Sequence, residues 1–100
     1  GGYVAVTAPV GAVVEGLPDG AMEVRHREKD YHYYFGTFFA KRGEGFTVVL
    51  PPDGILVPYL PDGYTTERAE GSVRYAFGGV HYRPFYSEGV LVYSSTGQGP

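Results

Sequence analysis

The chain has 100 residues, a formal net charge of −3, no cysteine, ten tyrosines and six phenylalanines. This length suits one small domain with a single core, and the charges form no basic patch of the kind that nucleic-acid-binding proteins carry. The missing cysteines exclude disulfides and thiolate chemistry, and no apolar run approaches the roughly 18 residues of a membrane-spanning helix.

The first half of the chain predicts short β-strands that end at proline or glycine. Short runs of β-branched and aromatic residues are typical of strands, and proline ends a ladder because it has no N–H to donate. A Leu-Pro-Asp-Gly segment at 17–20 has the composition of a tight turn. The predicted strands of this half cover residues 3–6, 12–14, 22–27, 31–35, 37–42 and 46–50.

The second half repeats these signals in the same order. A Pro-Pro-Asp-Gly corner at 51–54 is followed by a second Leu-Pro-Asp-Gly turn at 60–63. Glycine-containing segments at 70–72 and 87–89 predict the ends of two hairpins. The predicted strands of this half include residues 55–57, 73–77, 80–86 and 90–93.

The two halves are copies of one template with a period of about 43 residues. A shift by this period superposes Pro9, Gly11, Val14, Leu17, Pro18, Asp19, Gly20, Arg25 and Gly36 on Pro52, Gly54, Val57, Leu60, Pro61, Asp62, Gly63, Arg68 and Gly79. Such self-similarity indicates units that bury their apolar faces against each other. We therefore predict one domain over 1–100, which comprises repeat one at 3–45, repeat two at 46–89, a partial third strand at 90–95 and a tail at 96–100.

The predicted fold is all-β: two tandem repeats that form a small antiparallel sandwich or barrel of short strands. No window shows the apolar spacing of an amphipathic helix, so no helix longer than a turn is expected. The equivalent strands at 3–6, 46–50 and 90–93 outnumber the two complete repeats, so either the terminal strands pair with each other or they are left as free edges. Free strand edges invite pairing with another chain, and self-association through edge strands is the hypothesis that follows from the second alternative.

Four segments of the second copy carry a resemblance to a known family. They are Phe-Thr-Val-Val-Leu-Pro-Pro-Asp-Gly at 46–54, Leu-Pro-Asp-Gly-Tyr at 60–64, Tyr-Ala-Phe-Gly-Gly at 75–79 and Tyr-Arg-Pro at 82–84. The chain resembles the tyrosine-rich domains of unknown function in bacterial envelope and secreted proteins, although Ala8, Ala21 and residues 40–41 depart from the pattern. The resemblance implies a periplasmic or extracellular location and supplies no established activity or catalytic residue.

Adjacent tyrosines in the aromatic runs cannot all lie in one core, because neighbouring residues of a strand point to opposite faces. An outward ring can stack on a sugar or anchor a protein partner, and an arginine beside it adds a donor. Tyr33, Tyr75, Tyr82 and Arg83 are therefore candidates for binding a cell-wall glycan. The alternative is that the rings form cross-strand pairs that stabilise the sheet.

The sequence offers no set of residues with a known catalytic or metal-binding spacing. Its serines lie outside any Gly-x-Ser-x-Gly elbow, and the aspartates of the Pro-Asp-Gly turns stand alone, whereas calcium is bound by clustered oxygens. His26 and His32 lie near one predicted hairpin turn, but together with His81 they match no zinc-ligand spacing. We therefore predict no catalytic residue, no metal site, no cofactor and no enzymatic activity.

The function predicted from these features is a non-enzymatic structural or assembly module of the bacterial cell envelope or exterior. Sheet edges and outward tyrosines would contact its partners. The alternative function is a module that binds peptidoglycan or another glycan through aromatic residues. Neither a nucleic-acid partner nor membrane insertion is expected.

Overall fold

The computed structural model describes residues 9–96, and these residues form ten β-strands and no helix. The strands of the first half are β1 (Val13–Val14), β2 (Met22–His26), β3 (Lys29–Tyr34), β4 (Thr37–Arg42) and β5 (Gly45–Val49). Those of the second half are β6 (Leu56–Val57), β7 (Thr65–Ala69), β8 (Ser72–Phe77), β9 (Val80–Ser87) and β10 (Val90–Ser95). Over the described range, no helix is long and apolar enough to cross a membrane.

The strands form two antiparallel sheets with the same strand order. The first sheet has the order β1-β5-β4-β3-β2 and the second has the order β6-β10-β9-β8-β7. In each half the short first strand pairs with the last strand. The two sheets make a small sandwich, which confirms the predicted all-β class and decides between the two predicted architectures.

Matching backbone hydrogen bonds anchor the first strand of each half. In the first sheet the N–H of Gly11 donates to the carbonyl of Val48 at 2.9 Å, and in the second the N–H of Gly54 donates to the carbonyl of Ser95 at 2.8 Å. Gly11 and Gly54 are 43 positions apart, whereas Val48 and Ser95 are 47 positions apart. The second half therefore contains four additional residues before its last strand.

The sheets divide the chain a few residues away from the predicted repeat boundary. β5, which the sequence pattern assigns to repeat two, lies between β1 and β4 in the first sheet. The predicted partial third strand at 90–95 is β10, and it lies between β6 and β9 in the second sheet. In each sheet the last strand of that half lies between the short first strand and the rest of the sheet. β5 therefore belongs to the first sheet and β10 to the second. The predicted strand at 3–6 lies outside the described residues.

One core lies between the two sheets and receives side chains from both. Its buried members are Tyr33 and Phe38 from the first sheet and Ile55, Val57, Val80 and Tyr82 from the second half. Partly buried side chains pack around them, namely Val24, Tyr31, Val49, Tyr59, Leu60, Tyr75, Phe77 and Tyr93. Burial of this shared apolar surface is the main term that holds the two halves together.

The two sheets turn opposite faces of the shared template toward this core. We call the face toward the core the inner face and the other the outer face. Tyr33 lies on the inner face of the first sheet, but its counterpart Ala76 pairs with His81 on the outer face of the second. Conversely, Tyr82 lies on the inner face of the second sheet, whereas its counterpart Phe39 lies on the outer face of the first. The face of the template that is inner in the first sheet is therefore outer in the second sheet.

Candidate interaction surface at the β9–β10 hairpin

The structure places two of the four predicted glycan-binding residues in the core. Tyr33 and Tyr82 are fully buried, so neither ring can stack on a sugar in this conformation. Tyr75 is half-buried, and its ring contacts two other tyrosine rings with centroids 5.4 Å and 5.7 Å away. Arg83 is exposed on the outer face of the second sheet. Because Tyr75 points inward and Arg83 outward, the predicted set does not form one surface.

The hydroxyl groups of the two buried tyrosines have different surroundings. The hydroxyl of Tyr33 donates to the carbonyl of Tyr59 at 2.6 Å, and the hydroxyl of Tyr59 accepts the N–H of Phe35 at 3.0 Å. The hydroxyl of Tyr82 is buried without a hydrogen-bond partner among the described residues. Burial raises the pKa of Tyr33 and of Tyr82 well above the ordinary tyrosine value. Both residues act in packing at ordinary pH.

The three histidines have different neighbours. His32 places its ring edge-on to Phe46 with centroids 5.3 Å apart, and His81 Nδ1 lies 3.4 Å from Glu67 Oε1 without hydrogen-bond geometry. His26 lies at the end of β2, in the other sheet from His81. Among residues 9–96, no group of three or more histidine or carboxylate side chains is close enough to hold a metal ion.

Ser95 is the buried serine of the second sheet, and its hydroxyl is held by the backbone. It donates to the carbonyl of Pro52 at 2.6 Å and accepts the N–H of Ile55 at 3.2 Å. These two bonds fix the corner between the halves against β10. The hydroxyl is thereby engaged as donor and acceptor, which is the arrangement of a structural serine.

The tip of the β9–β10 hairpin carries exposed apolar side chains on both faces. The exposed fractions are 49% for Phe85, 70% for Tyr86, 62% for Val90 and 38% for Leu91. Tyr86 lies opposite Leu91 on one face, and Phe85 lies opposite Val92 on the other. Apolar surface concentrated in this way is typical of sites that contact a partner.

The matching hairpin of the first half is shorter and charged. Its ladder ends at Arg42 and Gly45, and the residues around its turn include exposed Lys41 and Glu44. The four additional residues of the second half lie in the β9–β10 hairpin, between Tyr82 and Ser95. Because the first half builds the same sheet without them, the fold does not require the extension.

One backbone edge of β10 is open near this tip. β6 pairs only with Tyr93 and Ser94, which leaves residues 90–92 without a strand partner on that side in the described part of the chain. Ser95 directs its N–H and C=O toward the β6 side. Backbone groups alternate along a strand, so those of Leu91 point to the same open side. Within residues 9–96, the N–H and C=O of Leu91 therefore have no strand partner and lie beside exposed apolar side chains.

The sequence contains a signal for this surface that the repeat pattern hides. Apolar residues stand next to each other on both sides of the turn at 87–89, as Phe-Tyr before it and Val-Leu-Val after it. In a strand such neighbours occupy both faces, which only a fully buried strand or an exposed contact surface requires. Alignment by the period of about 43 residues conceals the extension, because the matching positions all lie before it.

Comparison with known proteins identifies a family. A family model described as a family of unknown function, DUF6515, matches residues 1–96. No curated protein and no solved structure matches the chain. The matched region includes all ten described strands, so it covers both sheets of the sandwich.

Proposed function

The chain belongs to the DUF6515 family, whose function is unknown, and we propose that it is a non-enzymatic structural or assembly module. In this proposal the β9–β10 hairpin contacts partner proteins, and the setting is the bacterial cell envelope or exterior. The observation that carries the proposal is the exposed apolar tip beside an open backbone edge. The location is supported by the resemblance of the 46–84 motifs to envelope and secreted proteins.

The hairpin is suited to this role because its base is rigid and its tip is accessible. At the base, Tyr82 is fully buried opposite Ser95, whose hydroxyl is bonded to the corner between the halves. At the tip, burial of one exposed apolar side chain against a partner contributes roughly 1–2 kcal/mol. A fixed base lowers the conformational entropy that is lost on binding, so more of this free energy is available for affinity.

A co-sedimentation experiment with purified bacterial envelope fragments tests the proposal. The Tyr86→Thr, Val90→Thr double variant removes the two most exposed apolar side chains of the tip while it keeps residues that favour strands. We expect its affinity to fall about thirtyfold, because two lost contacts of roughly 1 kcal/mol each weaken binding by about 2 kcal/mol.

The first hairpin supplies the matched control. The Lys41→Thr, Glu44→Thr variant changes two exposed side chains of the charged tip and is expected to sediment like the wild type. Circular dichroism confirms that both variants are folded. Equal retention of the Tyr86→Thr, Val90→Thr variant and the wild type would contradict the proposal.

A further inference from the structure

We propose that the partner of the open β10 edge is a second copy of this chain, paired antiparallel about a twofold axis at Leu91. The inference rests on the proposed function, because it assigns a partner to the same hairpin. Twofold contacts use the same patch on both subunits, so the edge must be complementary to itself. The backbone, the side chains and the charge of β10 each meet this requirement.

The backbone geometry fixes the register of the pair. The open stretch covers residues 90–92, because β6 occupies the same side of the strand from Tyr93 onward. An antiparallel pair centred on this stretch places Leu91 opposite Leu91 of the second copy and Val90 opposite Val92 of the second copy. The N–H and C=O of each Leu91 then bond reciprocally across the axis. A shift of register toward Tyr93 brings the second copy against β6.

The side chains near the axis are apolar on both faces of the joined sheet. Leu91 and Tyr86 lie on one face, and Phe85 and Val92 lie on the other. A twofold pair brings each set next to its own copy, so exposed apolar surface is removed from water on both sides at once. A single-stranded peptide would cover the edge but would supply no second hairpin tip.

The charge pattern permits the chain to pair with itself at this hairpin. Glu88 is the one charged residue of the segment 85–95. It lies three residues before Leu91, so antiparallel pairing separates the two Glu88 residues by about 20 Å, at roughly 3.4 Å per residue. This distance exceeds the Debye length of about 8 Å at physiological salt.

The short paired stretch sets the expected strength of the association. Stable interfaces bury about 1,200–2,000 Å² in total, and a three-residue edge with two hairpin tips falls at or below the low end of this range. We therefore expect a concentration-dependent dimer with a dissociation constant in the range of roughly 10–1,000 μM.

A charge swap at Leu91 tests the twofold axis by sedimentation equilibrium. Leu91 is partly exposed, so Leu91→Lys and Leu91→Glu are expected to fold, which circular dichroism checks. Each variant alone places like charges opposite each other and is expected to associate at least about tenfold more weakly than the wild type. An equimolar mixture places Lys opposite Glu and is expected to associate more strongly than either variant alone. A mixture that associates no better than the single variants overturns the twofold arrangement.

Disulfide trapping provides a second readout, because the chain contains no cysteine of its own. Directly opposite residues of an antiparallel pair have Cα atoms about 5.5 Å apart, which a disulfide can span. We expect Leu91→Cys to form a covalent dimer on oxidation and the Glu44→Cys control on the first hairpin to stay monomeric. Equal amounts of covalent dimer from both variants overturn the register.

The outcomes separate this inference from the proposed function. A wild-type chain that stays monomeric up to about 1 mM overturns the twofold pair. If that chain still sediments with envelope fragments and loses retention in the Tyr86→Thr, Val90→Thr variant, the proposed function holds with a different partner. A chain that dimerises at Leu91 but is not retained supports the pairing and contradicts the envelope contact.

Discussion

The two fully buried tyrosines of the core differ in what their hydroxyl groups contact. Tyr33 donates a short hydrogen bond to the carbonyl of Tyr59, whereas the hydroxyl of Tyr82 has no partner in the described part of the chain. A satisfied buried hydroxyl contributes about 0.5–1.5 kcal/mol, and an unsatisfied one costs about 1–3 kcal/mol. The hydroxyl of Tyr33 therefore stabilises the fold, whereas the hydroxyl of Tyr82 destabilises it.

Removal of these hydroxyls is expected to change stability in opposite directions. Tyr33→Phe should lower the free energy of unfolding by about 1–2 kcal/mol, because it also leaves the Tyr59 carbonyl without its donor. Tyr82→Phe should leave stability unchanged or raise it by about 1 kcal/mol. Urea unfolding of both variants and the wild type measures the difference. Equal losses in the two variants would mean that the Tyr82 hydroxyl is paired in solution.

Alkaline pH should destabilise the fold through the same residues. Burial raises the pKa of Tyr33 and of Tyr82, so both stay protonated in the folded chain after the unfolded tyrosines titrate near pH 10. The stabilisation is fully present below about pH 10. Above it, the free energy of unfolding should fall by about 1.4 kcal/mol per pH unit for each residue.

Measurement of the free energy of unfolding between about pH 8 and pH 12 checks this prediction, because this range spans the pKa of free tyrosine. The Tyr82→Phe variant serves as its control, because one of the two buried phenols is absent. Its stability should fall with pH at a slope smaller by about 1.4 kcal/mol per unit than that of the wild type. Identical slopes would show that Tyr82 does not keep a raised pKa.

At the scale of the elements, the turns that close β3–β4 and β8–β9 provide a matched pair of glycines. Gly36 and Gly79 both have positive φ, at 89° and 83°. A Cβ atom on Gly36 would clash with the ring of Phe77 in the second sheet, whereas nothing lies within 4 Å of the corresponding position on Gly79. The first turn is thus packed between the sheets and the second is open.

Alanine substitution separates the conformational cost from the packing cost at these turns. Gly79→Ala should lower stability by about 1–2 kcal/mol, because alanine is strained at positive φ. Gly36→Ala should lower stability by about 1–3 kcal/mol more than Gly79→Ala does, because the ring of Phe77 must also move. Thermal or urea unfolding gives both values. Equal losses would indicate that the turn does not pack against Phe77 in solution.

Strand content could be predicted from the sequence because alternation and glycine or proline punctuation are local signals. The β2–β3 turn shows where such signals fail: the sequence predicts it at 28–30, but it lies at Arg27 and Glu28, which have φ values of 49° and 68°. Without glycine, neither residue marks the position of positive φ. The assignment of β5 and β10 to their sheets depends on pairing partners distant in sequence, which a local pattern does not contain.

At the scale of the whole molecule, the candidate site was harder to predict than the fold. Alternation indicates that half of the tyrosines point one way, but only the stacking of the sheets decides which half is buried. Leu17 and Leu60 show the same limit. Both are half-buried, yet Leu60 packs against the core cluster and Leu17 is not among the residues packed there. Equivalent positions in the template have different surroundings because the sheets present opposite faces.

Because the two sheets present opposite faces of the template to the core, their outer faces carry different residues. On its outer face the second sheet has Arg74 and His81 at the positions where the first sheet has the core residues Tyr31 and Phe38. A polar outer layer of this kind is how repeat proteins terminate a column of units. The outer layer of the first sheet instead keeps apolar Phe39 and Val48 at its centre. Both of these side chains are buried, so the sandwich has two unlike outer faces: the first sheet has a covered apolar centre, and the second sheet has polar side chains at the matching positions.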